Sequence, residues 1–268
     1  MEVFFGYGFF QRALLAGLFV AIACAILGLF LILRRDAMIG HGLAHVTFGG
    51  VALGLFLNIL PLGAALVVAI FASLAIMKLK EKAGFHGDTA IGIFSSMGMA
   101  LGIALATLAG RFNADLMSYL FGDILAIDPL EVGLSTALAA VVVIAILANY
   151  RRLMFLTFDR EAAKASGVKT AHLDFLLAIL TSVTVVLGMK VVGILLVTAL
   201  LVIPAAAGLL LAASFKQALF FSSLVASLSV VFGLFAAFYL DLPASATVVL
   251  FSSFLFGVFF LLRRRRIS

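Results

Sequence analysis

Long apolar runs separated by short polar stretches dominate the chain from Ala13 to Leu262. Each run has about 18 or more residues, enough to cross a hydrocarbon core of about 30 Å as an α-helix. Backbone polar groups in such a core must be satisfied within each segment, so the pattern predicts an all-α bundle of transmembrane helices. We predict nine spans, over residues 13–33, 39–60, 62–77, 89–108, 130–148, 173–189, 193–213, 218–240 and 246–262.

One apolar stretch is too short to span a membrane. Residues 116–127 form a mostly apolar stretch of only 12 residues, against the ~20 that a spanning helix needs, and Gly122 and Asp123 interrupt it. We predict a short re-entrant or interfacial helix on the outer side. Irregular backbone at membrane depth is tolerated only where protein or a watery cavity covers it, which makes the segment a candidate rim of a translocation path. A helix lying on the headgroups is the other interpretation.

Basic residues are unevenly distributed between the predicted spans. Of the 18 lysines and arginines, 15 lie on one side, and the other side keeps Arg12, Arg111 and Lys190. Because cytoplasmic loops carry the excess of Lys and Arg, we expect a cell-membrane protein with its N-terminus outside and its C-terminus in the cytoplasm. The net charge of +6 is then explained by cytoplasmic loops that contact anionic lipid or a partner, and it does not indicate nucleic-acid binding.

Composition and missing motifs exclude several classes of protein. Hydrophobic residues make up 65% of the chain and charged residues 11%, against about 25% charged in soluble domains. The single cysteine, Cys24, excludes an internal disulfide and a cysteine cluster. The phosphate-binding pattern Gly-x-x-x-x-Gly-Lys-Ser/Thr does not occur, so we expect no nucleotide site in this chain. We also expect a transport subunit without enzymatic activity and without a permanently bound cofactor.

Two histidines near the start of the second predicted span are the candidates for metal chemistry. His41 and His45 are four residues apart, and on a helix this spacing places both imidazoles on one face, about 6 Å apart. Two histidines share one tetrahedral zinc ion in this geometry, and ionisable residues within a membrane indicate function. The alternative is that two neutral histidines hydrogen-bond to neighbouring helices.

Small residues surround the histidine pair and allow helix backbones to approach closely. They are Gly40, Gly42, Ala44, Gly49, Gly50 and Gly54, and Gly98 and Gly102 repeat the Gly-x-x-x-Gly spacing in the fourth span. This pattern is typical of helix packing, and it also suits a seam between two copies. Two copies related by a two-fold axis would supply four imidazoles.

Pro204 interrupts the seventh predicted span. A proline inside a helix kinks it or leaves a carbonyl without its donor. Both a gating hinge and a static kink that improves packing are consistent with this position.

The longest polar stretch runs from Arg151 to His172, on the predicted cytoplasmic side. Within it, residues 159–166 have helix-forming composition, with Asp159 able to cap the start and Gly167 able to end it. A short helix held parallel to the membrane is suited to contact a soluble partner, whereas a solvated connection is the simpler interpretation.

Several of these segments together resemble the permeases of ATP-binding-cassette importers for zinc, manganese or iron, and zinc-importer permeases most closely. The resemblance covers nearly the whole chain, as a single permease domain over residues 1–268. It is carried by residues 33–35, 40–54, 88–92, 115–125, 189–193 and 201–206. The resemblance implies a homodimeric membrane core, two cytoplasmic ATPase subunits and an extracytoplasmic metal-binding protein that delivers the ion.

The resemblance also implies roles for particular residues. The loop over about 151–172 resembles the family's coupling helix, which docks in the ATPase, through Asp159, Arg160, Glu161, Ala162, Ala163, Lys164 and Gly167. Members commonly have Gly-Asp where this chain has Gly40-His41, and imidazole in place of a carboxylate favours zinc over manganese. Asp115 and Asp123 flank the short apolar segment on the side of the delivery protein, where carboxylates attract cations.

Other functions use the same residues differently. A secondary metal transporter would use the histidine face without an ATPase. An intramembrane metalloprotease requires His-Glu-x-x-His, and Gly42, Leu43 and Ala44 stand between the histidines instead. A bis-histidine haem protein needs ligands on opposite sides of one iron, which two rings on one helix face do not normally provide.

Overall fold

The computed structural model of the chain describes residues 8–82, 87–108, 122 and 127–267. Those residues form eleven helices and no strand. The helices are α1 (Gly8–Leu33), α2 (Ile39–Phe56), α3 (Pro61–Lys82), α4 (Gly87–Leu108), α5 (Pro129–Ala148), α6 (Tyr150–Phe158), α7 (Arg160–Ala165), α8 (Thr170–Val192), α9 (Ile194–Leu211), α10 (Phe215–Leu240) and α11 (Ala244–Ile267).

The prediction of nine spans is confirmed in the described part of the chain, where nine helices are long and apolar enough to cross a membrane. They are α1 to α5 and α8 to α11. Several extend beyond the predicted apolar windows, because a helix continues into its polar flanks. The predicted outer helix within residues 115–128 lies outside the described residues except for Gly122, Ile127 and Asp128. Gly122 has a φ of +72°, and a Cβ built on it would lie 2.5 Å from the carbonyl carbon of Val192.

Helices α1 and α8 form the centre of the bundle. Helix α1 packs against α5, α8, α9 and α10, and α8 also contacts α2 and α3. Alanines and glycines dominate the buried face of α1. At Gly28 a Cβ would collide with the backbone of Leu201, so α1 and α9 are in direct backbone contact. Phe30, Met189 and Leu200 are fully buried around this core.

Helix α2 lies between α3 and α4, and its glycines make both contacts. A Cβ on Gly49 would lie 2.5 Å from the carbonyl oxygen of Gly98, and one on Gly54 would lie 2.6 Å from the Cα of Pro61. The expectation of close packing at these glycines is therefore confirmed. Such contacts fix the rotation of α2 about its own axis.

The short helix predicted after the fifth span is also confirmed. It is α7, and the Asp159 side chain accepts a hydrogen bond of 2.9 Å from the backbone N–H of Ala162. Gly167 has a φ of +78° just after its end. The flanking residues are not an extended loop, because α6 precedes α7 and α8 begins at Thr170. Helix α6 forms there because it buries Leu153 and Leu156 while its two arginines stay exposed.

Pro204 is buried within α9, which continues through it. Position 204 lacks an N–H, so it donates no hydrogen bond to the carbonyl of Leu200 one turn earlier. The helical backbone is interrupted at Gly193 instead. This is the single residue between α8 and α9, and it has a φ of +86°.

Candidate metal site

The first turns of α2 hold the two predicted histidines side by side. The Nε2 atoms of His41 and His45 are 3.1 Å apart. Their ring centroids are separated by 4.6 Å, and the ring planes are nearly perpendicular at 87°. The prediction that the spacing places both imidazoles on one helix face is confirmed. His41 is exposed and His45 is partly buried, so the pair opens toward the outside of the bundle.

Packing of the glycines on either side of His41 sets the direction of this face. A Cβ on Gly40 would lie 2.5 Å from Cδ1 of Leu201 in α9, and one on Gly42 would collide with Ile91 in α4. A side chain at either position would require Leu201 or Ile91 to move. Helix α2 is therefore held against α4 and α9, with His41 on the remaining open side.

The distance between the two nitrogens suits a shared metal ion. Two nitrogens bound to one zinc at about 2.0–2.1 Å, with a tetrahedral angle, lie about 3.3 Å apart. The observed 3.1 Å needs only a small rotation of either ring to match. At this distance an Nε2–H of either ring can donate a hydrogen bond to the Nε2 of the other. An ion would replace that proton, and both lone pairs would then point to it.

The candidate site offers two imidazoles in the described part of one chain. Those residues contain no group of three or more His, Cys, Asp or Glu side chains placed to hold a metal. Nδ1 of His45 is buried and has no hydrogen-bond partner among them. A tetrahedral ion therefore needs two ligands from elsewhere. His172 lies at the start of α8, in an exposed cleft beside Arg152 and Lys169.

Other predicted site residues have different outcomes. Asp115 and Asp123 lie outside the described residues. On α7, Glu161, Lys164 and Ala165 are exposed and Ala162 is partly buried. The Ala163 side chain, in contrast, is fully buried, so it is not part of the exposed face of α7, and docking of this segment in the ATPase stays a prediction. A helix of six residues is held to the bundle by packing one face, and Ala163 lies on that face.

An ionic network that the sequence pattern did not predict lies at one end of the bundle. Asp174 in α8 is buried and pairs with Arg34, which follows α1, and with Arg160, which begins α7. Asp36 pairs with Lys80 nearby. A signal was present in the sequence, since Asp174 is a carboxylate inside the sixth predicted span, and such residues are rare without a partner.

The fold and the imidazole pair define a polytopic α-helical membrane protein with two adjacent histidines in one span. Residues 6–263 match the ABC 3 transport family. The chain belongs to that family, and the resemblance found in the sequence is confirmed.

Individual relatives match along nearly their whole length. The chain is 34% identical to the high-affinity zinc uptake system membrane protein ZnuB of Haemophilus influenzae, over 95% of this chain and 97% of that protein. It is 33% identical to the manganese import system permease protein ScaB of Streptococcus gordonii, over 97% of this chain and 94% of that protein. The solved structure of PsaBC from Streptococcus pneumoniae in complex with Fab has a TM-score of 0.85 at 33% identity, covering 95% of this chain and 91% of that chain.

Proposed function

We propose that this chain is the membrane permease of an ATP-driven importer that moves a divalent transition-metal ion, with zinc favoured, into the cytoplasm. The observation that carries the proposal is the 3.1 Å separation of the His41 and His45 Nε2 atoms. Membership of a transport family and relatives named for zinc and manganese uptake support it. The ion is the substrate, so its capture at the histidines has to be weak enough for release.

A second copy of the chain completes the site in this proposal. A two-fold axis beside the open face of α2 brings His41 and His45 of both copies together, which gives four imidazoles for one ion. The sequence resemblance to homodimeric permeases supports this arrangement. The whole chain then acts as one permease domain, with Pro204 in α9 as a candidate hinge for the exchange between conformations.

The proposed orientation places the N-terminus outside the cell and the end of the bundle with Arg34, Lys80 and Arg263 in the cytoplasm. The excess of basic residues at that end supports this orientation. A separate ATPase supplies the energy, because the chain has no phosphate-binding motif. The exposed parts of the segment from Asp159 to Gly167 contact that ATPase. On the outer side, a metal-binding protein delivers the ion near Asp115 and Asp123.

Zinc is favoured over manganese or iron because His41 provides an imidazole where related permeases commonly have a carboxylate. Nitrogen ligands suit zinc, whereas carboxylate oxygens suit manganese. Import of manganese or iron by the same mechanism is the second candidate, and relatives named for manganese support it. A secondary transporter would use the same histidines without ATP.

The test is zinc uptake by the complex of the permease with its ATPase and delivery protein in lipid vesicles. We expect uptake to require ATP, and we expect His41→Ala or His45→Ala to abolish it while the complex still assembles. His172→Ala is the matched control, because this exposed histidine lies at the start of α8, apart from the pair. Uptake that survives removal of ATP indicates a secondary transporter. Wild-type uptake in the double histidine variant contradicts the proposed site.

A further inference from the structure

One buried carboxylate joins two arginines from different parts of the chain. The side chain of Asp174, in the second turn of α8, is 3% exposed. Its Oδ1 pairs with Nη2 of Arg34, and its Oδ2 lies 2.8 Å from Nη2 of Arg160. Each carboxylate oxygen therefore has its own guanidinium partner. A buried charge is costly unless it is paired, so both contacts favour the folded arrangement.

The two arginines belong to segments with different proposed roles. Arg160 is the first residue of α7, the helix proposed to contact the ATPase, and its side chain is 45% exposed. Arg34 lies in the turn between α1 and α2, and its side chain is 14% exposed. That turn leads directly into Ile39, the first residue of α2 and two positions before His41. Asp174 thus lies between the proposed ATPase contact and the start of the histidine helix.

Hydrogen bonds connect the turn between α1 and α2 to the end of α1 and to the start of α2. The N–H of Asp36 donates to the carbonyl of Leu31 at 2.7 Å, and the N–H of Ile39 donates to the carbonyl of Asp36 at 3.0 Å. Arg35 has a φ of +60°, and the Asp36 carboxylate is paired with Lys80 of α3. A displacement of Arg34 therefore carries the start of α2 with it.

We propose that Asp174 is a positioning residue that transmits movement of α7, through Arg34 and the α1–α2 turn, to the histidine pair. The inference rests on the proposed function, since it assigns a route between the ATPase contact and the metal site. Helix α7 cannot shift relative to the turn without stretching one of the two ion pairs. Rigid-body motions of this kind pass between sites through contacts that hold in both states.

The test measures zinc ions imported per ATP hydrolysed by the complete complex in lipid vesicles. Asp174→Asn keeps the size of the side chain and removes its charge. We expect this ratio to fall by about tenfold, with ATP hydrolysis, complex assembly and zinc binding retained. Asp174→Glu keeps the charge and should restore most of the ratio. If Asp174 made only a structural contact, its loss would instead lower the amount of assembled complex, and the rates of zinc import and ATP hydrolysis would fall together.

A second variant keeps the test decisive where Asp174→Asn leaves Arg34 unpaired and does not fold. Arg34→Gln keeps the Asp174–Arg160 pair and removes the ionic link from Asp174 to the α1–α2 turn, so we expect the same fall in zinc ions per ATP with the ATPase still bound. Asp241→Asn is the control. Asp241 is exposed, has a left-handed backbone conformation with a φ of +53°, and follows the C-terminal end of α10, on the proposed outer side of the membrane. Asparagine tolerates that conformation.

The outcomes separate this inference from the proposed function. If the wild-type complex fails to import zinc with ATP, the proposed function is wrong. If wild type imports zinc and Arg34→Gln has the wild-type ratio of ions to ATP, only the role of Asp174 is overturned. Loss of the ATPase from the Arg34→Gln complex also overturns it, because the ion pair would then hold the docking surface in place and would not transmit movement.

Discussion

At the scale of single residues, the position of the histidine pair depends on glycines, because their lack of a side chain lets α2 pack directly against its neighbours. Gly49 lies one turn beyond His45 and touches the backbone of α4, where a Cβ would lie 2.5 Å from the carbonyl oxygen of Gly98. A backbone atom cannot rotate away as the end of a side chain can. Any larger residue at position 49 must therefore separate α2 from α4 and move the histidines with α2.

Gly49→Ala should lower stability and uptake together. We expect a loss of about 1–3 kcal/mol, the usual cost of overpacking a close contact. Thermal unfolding of the detergent-solubilised protein and zinc uptake by the complex measure the two effects. Gly257→Ala in α11 is the control, because a Cβ there has no atom within 4 Å. Equal unfolding temperatures for the two variants would show that the α2–α4 contact adapts without cost.

The identity of residue 41 should set the choice of metal. His41→Asp keeps a ligand in place but replaces imidazole nitrogen with carboxylate oxygen, which manganese accepts more readily than zinc does. We expect the ratio of zinc to manganese uptake, measured in competition, to fall by about tenfold, which corresponds to about 1.4 kcal/mol. His172→Asp serves as the control for an added charge. An unchanged ratio would mean that residue 41 does not contact the ion.

At the scale of helices, the sequence was informative wherever one physical requirement dominated. Apolar length alone located the nine spans, and Asp159 and Gly167 located α7 through its cap and its end. The inward face of α7 could not be predicted, because Ala163 is fully buried only through the way α7 folds back on the bundle. In a run of alanines, composition does not distinguish the buried side from the exposed one.

The exposed face of α7 gives a sharper test of ATPase contact than its buried alanine does. Ala165→Trp adds a large ring at an exposed position, which should block a close contact while leaving the fold intact. We expect the ATPase to dissociate from the complex or ATP hydrolysis to become independent of zinc transport. Copurification of the ATPase and zinc-stimulated hydrolysis measure these effects.

Ala213→Trp is the matched control for that substitution, because Ala213 is exposed in the turn between α9 and α10. That turn lies on the same proposed cytoplasmic side. Similar defects in both variants would mean that contact with the ATPase is not specific to α7. A normal Ala165→Trp complex would place the coupling in another cytoplasmic connection, of which residues 78–88 are the next candidate.

At the scale of the whole molecule, charge distribution was more predictable than charge pairing. The excess of Lys and Arg between alternate spans could be counted from the sequence, whereas the pairing of Asp174 with Arg34 and Arg160 could not. These three residues lie up to 140 positions apart, and they meet only after α1, α7 and α8 have packed. The histidine pair was predictable for the opposite reason, because its two rings are neighbours on one helix.

The outer side of the molecule should attract cations before they reach the histidines. Asp115 and Asp123 lie in the segment proposed to meet the delivery protein, and carboxylates there raise the local concentration of a divalent ion and pair with basic residues of that partner. Salt screens such fields, with a Debye length of about 30 Å at 0.01 M and about 8 Å at 0.15 M. The double substitution Asp115→Asn and Asp123→Asn should therefore slow zinc uptake strongly at low salt and only weakly at physiological salt. The control is Asp241→Asn, because Asp241 is an exposed carboxylate on the same proposed side. Equal uptake by the double variant and wild type at low salt would refute the steering role.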